Sequence, residues 1–189
     1  MSNMNLPNAL SIVRIVLAPC LVLLAWRGAS TAFAVGFALC LLTDIADGQI
    51  ARRFGLTTEL GAKLDSWGDV LTYLAVLPGL FWLHPQFVSD SAIVLGVVVA
   101  SYLIPIGAGF LKYRQLTSYH TRLATVSAYA LGASLLILFA GGPVLAFYLA
   151  TLVIVASQIE ELAITAVLPT WQANVPSLRH ALRRRSIAS

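Results

Sequence analysis

Charge is scarce in this chain. Of 189 residues only 11% are Asp, Glu, Lys or Arg, against about a quarter in a soluble domain. Cysteine is nearly missing as well. Cys20 and Cys40 both fall inside apolar runs, which excludes a disulfide framework and a cysteine-based metal site and leaves two small hydrophobes expected to be buried. No basic region precedes the first apolar run, so the N-terminal segment is expected to be a retained span rather than a cleaved leader. What is abundant is hydrophobicity, at 59% of residues with a mean hydropathy of +0.85. The chain therefore falls in the integral membrane class.

Apolar stretches cover about 8–27, 30–52, 61–83, 91–112, 122–141 and 144–169. Each is near the ~20 residues that cross a bilayer as a helix. Arg27-Gly28, the 53–58 segment, His84-Pro85 and Gly141-Gly142-Pro143 separate them. The long unbroken runs favour helices over a barrel. The expectation is an all-α bundle of six transmembrane helices over residues 1–170, followed by a basic tail at 171–189. His84 is expected at an interface, away from any chemistry.

Basic residues set the orientation. Arg52, Arg53, Lys63, Lys112, Arg114, Arg122, Arg179, Arg183, Arg184 and Arg185 fall on one side of a six-span layout, and Arg27 on the other. Arg14, near the start of the first span, is expected to snorkel to its own end. This places both termini and the 53–60 loop in the cytoplasm. The net charge of +4 is thereby accounted for by topology and by contact of the tail with anionic lipid, so no nucleic-acid partner is expected.

The acidic residues are concentrated. Five of the eight lie between positions 44 and 69. Asp44 and Asp47 are spaced i, i+3, and Asp65 and Asp69 i, i+4, so each pair shares a helix face. Asp44, Asp47, Gly48 and Ala51 form one stripe, and Gly61, Asp65 and Asp69 another. The two helices are consecutive, so their facing ends bring four carboxylates together. Such a group repels itself unless cations compensate it. Oxygen-only donors suit Mg2+, Mn2+ or Ca2+ rather than zinc. A pair of divalent ions in such a site can activate a nucleophile and stabilise a phosphate leaving group.

The run Asp44-x2-Asp47-Gly48-x2-Ala51-Arg52-x8-Gly61-x3-Asp65-x3-Asp69 resembles the signature of CDP-alcohol phosphotransferases at all eight fixed positions. The opening Asn5-Leu6-Pro7-Asn8-Ala9-Leu10-Ser11-Ile12-Val13-Arg14 is similar to the start of bacterial phosphatidylglycerophosphate synthases. The resemblance implies two divalent ions, Mg2+ or Mn2+, held by Asp44, Asp47, Asp65 and Asp69. It implies that Asp69 is the base that takes the acceptor's proton. It also implies that Asp44, Gly48, Ala51, Arg52 and Gly61 face the cytidine diphosphate of CDP-diacylglycerol, that CMP is released in phospholipid synthesis, and that the protein is a homodimer.

The acceptor alcohol is less constrained. Lys112, Arg114, His120 and Arg122 form a basic group on the same expected side as the aspartates, and Lys112-Tyr113-Arg114 is similar to a Lys-x-Arg pair in relatives that use phosphorylated alcohols. That favours glycerol 3-phosphate, with inositol phosphate as an alternative. Val70, where many glycerol-phosphate enzymes carry lysine, and Leu64-Asp65-Ser66 leave serine open. Glu160 and Glu161, inside the last span, are expected to border the acceptor pocket or to pair with a basic residue. A cation transporter and a metal-dependent phosphohydrolase are the rival classes. The transporter does not explain Gly48, Ala51, Arg52 and Gly61 at these spacings, and the hydrolase is distinguished by CMP release without an added alcohol.

Overall fold

The structure, a computed structural model, describes residues 6–56, 58–115 and 119–188, without the side chains of Arg52 and of 184–188. Among the described residues all regular structure is helical: α1 Leu6–Trp26, α2 Ser30–Phe54, α3 Glu59–Leu83, α4 Pro85–Asp90, α5 Ala92–Tyr113, α6 Arg122–Phe139, α7 Leu145–Val167 and α8 Leu178–Ala188. The chain forms two compact units, one of residues 1–90 with 139–142 and one of 91–138 with 143–189.

Five helices are long and apolar enough to cross a membrane: α1, α2 as far as Ala51, α5, α6 and α7. The six expected apolar segments all appear as long helices, but α3 is not among these five. It is 25 residues long and starts with Glu59, Lys63, Asp65 and Asp69, which dilute its apolar half. The helices carry large exposed hydrophobics such as Val16, Leu42, Leu74, Leu103 and Leu152. A surface of this kind is unfavourable in water and natural against lipid tails. Cys20 belongs to it and is exposed, whereas Cys40 is buried as expected.

In the first unit α1 packs against both α2 and α3. Its buried face runs Pro7, Asn8, Ser11, Arg14, Ala18, Leu21 and Ala25, the three-and-four spacing of a helix stripe. The first turns of that stripe are polar and the later ones apolar. In the apolar half Leu21 packs against Gly36 of α2, and Phe33 and Phe37 are buried, with the Phe139 ring tilted against Phe33 at 4.5 Å. The polar half is part of the candidate site. A left-handed Gly55 (φ 63°) ends α2, donating its N–H to Ala51 O. Thr58 then caps α3, its Oγ1 accepting from Gly61 N at 2.9 Å. This short turn makes α2 and α3 antiparallel and sets their acidic ends side by side. At the other end of α3, His84 has its Nε2 buried with no hydrogen-bond partner among the described residues, and burial lowers its pKa.

In the second unit α5 packs on α7, and α7 on α8. The tail is not simply a polar extension. After α7 the chain turns back, and Tyr119, Ile164, Leu168, Val175 and Ala181 form a buried apolar cluster that holds α8 in place.

Candidate active site

The four aspartates of the two stripes converge, and an arginine lies between them. Arg14 is 1% exposed. Its Nη1 donates to Asp44 Oδ1 and, at 2.8 Å, to Asp69 Oδ1. Its Nη2 donates to Asp47 Oδ2 at 2.9 Å and to Asp65 Oδ1 at 2.6 Å. The four Nη hydrogens of one guanidinium thus serve four carboxylates, two on α2 and two on α3. This overturns the snorkelling expectation. The apolar stretch around Arg14 made its charge look like a topology signal, but its side chain points along the buried face of α1 into the acidic cluster.

Ser11, one turn earlier, donates to Asp47 Oδ2 at 3.1 Å. Asp47 is the most enclosed of the four at 4% exposure, whereas Asp44, Asp65 and Asp69 are 38%, 46% and 44% exposed. One carboxylate is therefore fixed from below, and three keep a face open to incoming groups. Beside them is a cavity of about 190 Å³, lined among others by Asn8, Ser11, Asp47, Gly48, Ala51 and Gly61. A Cβ on Gly61 would lie 2.6 Å from Asn8 Oδ1, so only glycine admits this approach of α1 to α3.

Three of the carboxylates, from Asp44, Asp47 and Asp65, each offer an oxygen within 4.8 Å of the others. All are hard donors, and among the described residues Arg14 is the one cation paired with the four aspartates. This donor set fits a hard divalent cation. Of the expected nucleotide contacts, Gly48, Ala51 and Gly61 line the cavity. The side chain of Arg52 lies outside the described residues.

The expected acceptor residues all belong to the second unit. Lys112 Nζ donates to Thr165 O at 2.7 Å and Ala166 O at 3.1 Å, and Tyr113 OH to Thr165 O at 2.9 Å and Leu168 O at 2.7 Å. Both satisfy carbonyls that the end of α7 leaves open. Arg114 ends α5 in a left-handed conformation, and Arg122 begins α6. His120, also with positive φ, is within electrostatic range of Glu161. Glu160 has a structural partner: its Oε1 accepts from Leu178 N at 3.1 Å, at the first residue of α8.

Asn8, Ser11 and Arg14 were missed as site residues. Their signal was present, since three polar side chains recur at i, i+3 and i+6 within an otherwise apolar span.

Residues 4–167 match the CDP-alcohol phosphatidyltransferase family, so the chain belongs to that family. A CDP-diacylglycerol–glycerol-3-phosphate 3-phosphatidyltransferase of Rickettsia typhi is 41% identical over 70 residues, which is 35% of this chain and 39% of that protein. The corresponding Rickettsia felis protein is 31% identical over 140 residues, 72% of this chain and 76% of that one. A probable phosphatidylglycerophosphate synthase of Mycobacterium tuberculosis H37Rv is 32% identical over 175 residues, 86% of this chain and 78% of that protein. The match thus spans well under half the length of the first relative and about three quarters of the other two. No solved structure matches the chain.

Proposed function

We propose that this protein transfers a phosphatidyl group from CDP-diacylglycerol to the hydroxyl of glycerol 3-phosphate and releases CMP. The observation that carries the reading is the convergence of Asp44, Asp47, Asp65 and Asp69 beside a cavity lined by Gly48, Ala51 and Gly61. The names of the relatives support the donor and the acceptor.

In this reading Asp44, Asp47, Asp65 and Asp69 hold two divalent ions, Mg2+ or Mn2+. When bound, such ions neutralise diphosphate charge as Lewis acids. Gly48, Ala51 and Gly61, which present no side chain beyond a methyl, let the cytidine diphosphate approach the helix backbones, and Arg52 pairs with a phosphate. Asp69, 44% exposed, takes the proton from the acceptor hydroxyl. The alkoxide oxygen then bonds to the phosphorus that carries the diacylglycerol, the bond from that phosphorus to the oxygen bridging to the CMP phosphate breaks, and CMP leaves with the electron pair. Positioning and charge neutralisation dominate such a transfer. Arg114, His120 and Arg122 are the expected cationic contacts of the acceptor's phosphate. Lys112, which already binds two carbonyls of α7, is the least available of the group.

The placement of ten of the twelve basic residues supports six spans, both termini cytoplasmic and a site open to the cytoplasm, in a cell (inner) membrane. The lipid donor then enters from the inner leaflet. A homodimer is part of the same proposal. The test is CMP release from CDP-diacylglycerol by purified protein with Mg2+ or Mn2+, with glycerol 3-phosphate, serine, inositol and inositol phosphate supplied in turn. Release with glycerol 3-phosphate, lost in Asp69→Asn, supports the reading. Release without any acceptor identifies a hydrolase and refutes it.

A further inference from the structure

We infer that Arg14 is a built-in stand-in for the metal, a positioning residue that holds the four carboxylates in place while no ion is bound and must withdraw for an ion to enter. The inference rests on the metal-binding reading of the aspartates. Three observations lead to it. First, the Nη groups of Arg14 engage one oxygen each of Asp44, Asp47 and Asp65, the three residues whose carboxylates offer ligand oxygens within 4.8 Å of one another. A lone pair directed at a guanidinium is not available to a metal, so the two cations compete for these carboxylates. Second, the guanidinium is enclosed yet incompletely bonded: Nε is buried with no hydrogen-bond partner among the described residues. That unmade bond, costly inside a protein, lowers the barrier to leaving. Third, the space that admits the side chain depends on Gly68. A Cβ there would stand 3.2 Å from Arg14 Nε and 3.5 Å from Cζ.

The role has a physical rationale. Four carboxylates held together without compensation repel, and each would be driven to protonate or to turn away. A planar cation with four Nη hydrogens satisfies all of them at once, which the single ammonium of a lysine cannot do. The site is thereby kept converged at the cost of competition with the ion.

Competition separates this role from simple cross-linking of α1 to α2 and α3. The experiment uses the full-length protein in detergent, with thermal unfolding in EDTA and in saturating Mn2+, and Mn2+ affinity by titration. Wild type, Asp65→Asn, Arg14→Gln, Arg14→Lys and Gly68→Ala are compared. Arg14→Gln is expected to unfold several degrees lower in EDTA and to recover most of that loss in Mn2+. It should bind Mn2+ about tenfold more tightly, because no guanidinium has to be displaced. Arg14→Lys should fall between the two. Gly68→Ala, which crowds the guanidinium without removing its charge, should change both readings in the same direction by less, and decides the matter if Arg14→Gln does not fold. Equal losses with and without Mn2+, or weaker Mn2+ binding in the Arg14 variants, would show a merely structural or metal-supporting arginine and overturn the inference. If wild type itself binds no Mn2+, the metal reading fails and the inference with it.

Discussion

Replacing Gly61 by alanine adds one methyl group at the place where the first and third helices meet. The new Cβ would stand 2.6 Å from Asn8 Oδ1 and 3.0 Å from Thr58 Oγ1, far inside the 3.4 Å at which ordinary contact begins. Asn8 is 1% exposed, and the space it borders is the cavity beside the aspartates, so a retreat would narrow that cavity. Thr58 cannot move freely either, because its Oγ1 accepts from Gly61 N as the cap of α3. Over-packing of this kind costs about 1–3 kcal/mol, and a weakened cap adds up to about 1 kcal/mol. For a chain of this size that is a fall in melting temperature of about 2–16 °C. Gly61 also lines the cavity beside the aspartates, so affinity for CDP or CTP used as a soluble probe should fall together with stability. Gly96→Ala in α5 is the matched control, since its Cβ meets nothing within 4 Å and alanine is the better helix former. Melting and nucleotide binding are measured on both variants in detergent. A Gly61→Ala protein that melts and binds like wild type would refute the close approach of α1 to α3 and the assignment of the cavity to the nucleotide.

Asp47→Asn removes the most buried carboxylate, which holds both Ser11 and Arg14; CMP release should fall by about two orders of magnitude or more, and a loss under tenfold would argue against its place in the site. Glu160→Ala deprives Leu178 N of its acceptor and should cost about 1 kcal/mol, seen as faster proteolysis near α8 with an unchanged KM for the acceptor; a raised KM with intact α8 would instead place Glu160 in the acceptor pocket. Burial lowers the pKa of His84, so the folded state prefers the neutral ring. That contribution to stability is complete above the unfolded value near 6.5 and is lost as pH falls from there toward the lower folded value. His84→Leu should flatten the melting temperature between pH 7.5 and 5.5, and an unchanged slope would show that other groups cause it.

Much of the architecture could be read in the sequence because membrane helices announce themselves locally. Twenty apolar residues and a breaker suffice, and the six expected segments correspond to α1, α2, α3, α5, α6 and α7. The carboxylate pairs were equally local, being one turn apart on consecutive helices. What escaped depended on chain reversal. Glu160 becomes the cap of α8 only because residues 168–177 fold back along the end of α7. Lys112 was read as a free anion site because its carbonyl partners, Thr165 and Ala166, are more than fifty positions away in sequence. The tail was read as a polar extension because an 11-residue basic helix has too few turns to be stable without the apolar cluster that anchors it.

Arg14 was the costliest omission, and the reason bears on how such sites are read. A lone arginine near the start of a span satisfies the positive-inside rule by itself, so nothing local asked for another explanation. Yet the same span carries Asn8 and Ser11 on the face that Arg14 shares. A lipid-facing or snorkelling arginine has no use for polar neighbours at i−3 and i−6. An arginine aimed at an acidic partner does, because the partner's other lone pairs must also be met, and Ser11 meets one on Asp47. The formal charge argues the same way. Among the described residues Arg14 is the one cation paired with the four carboxylates, and a formal excess of negative charge on hard oxygens favours divalent ions.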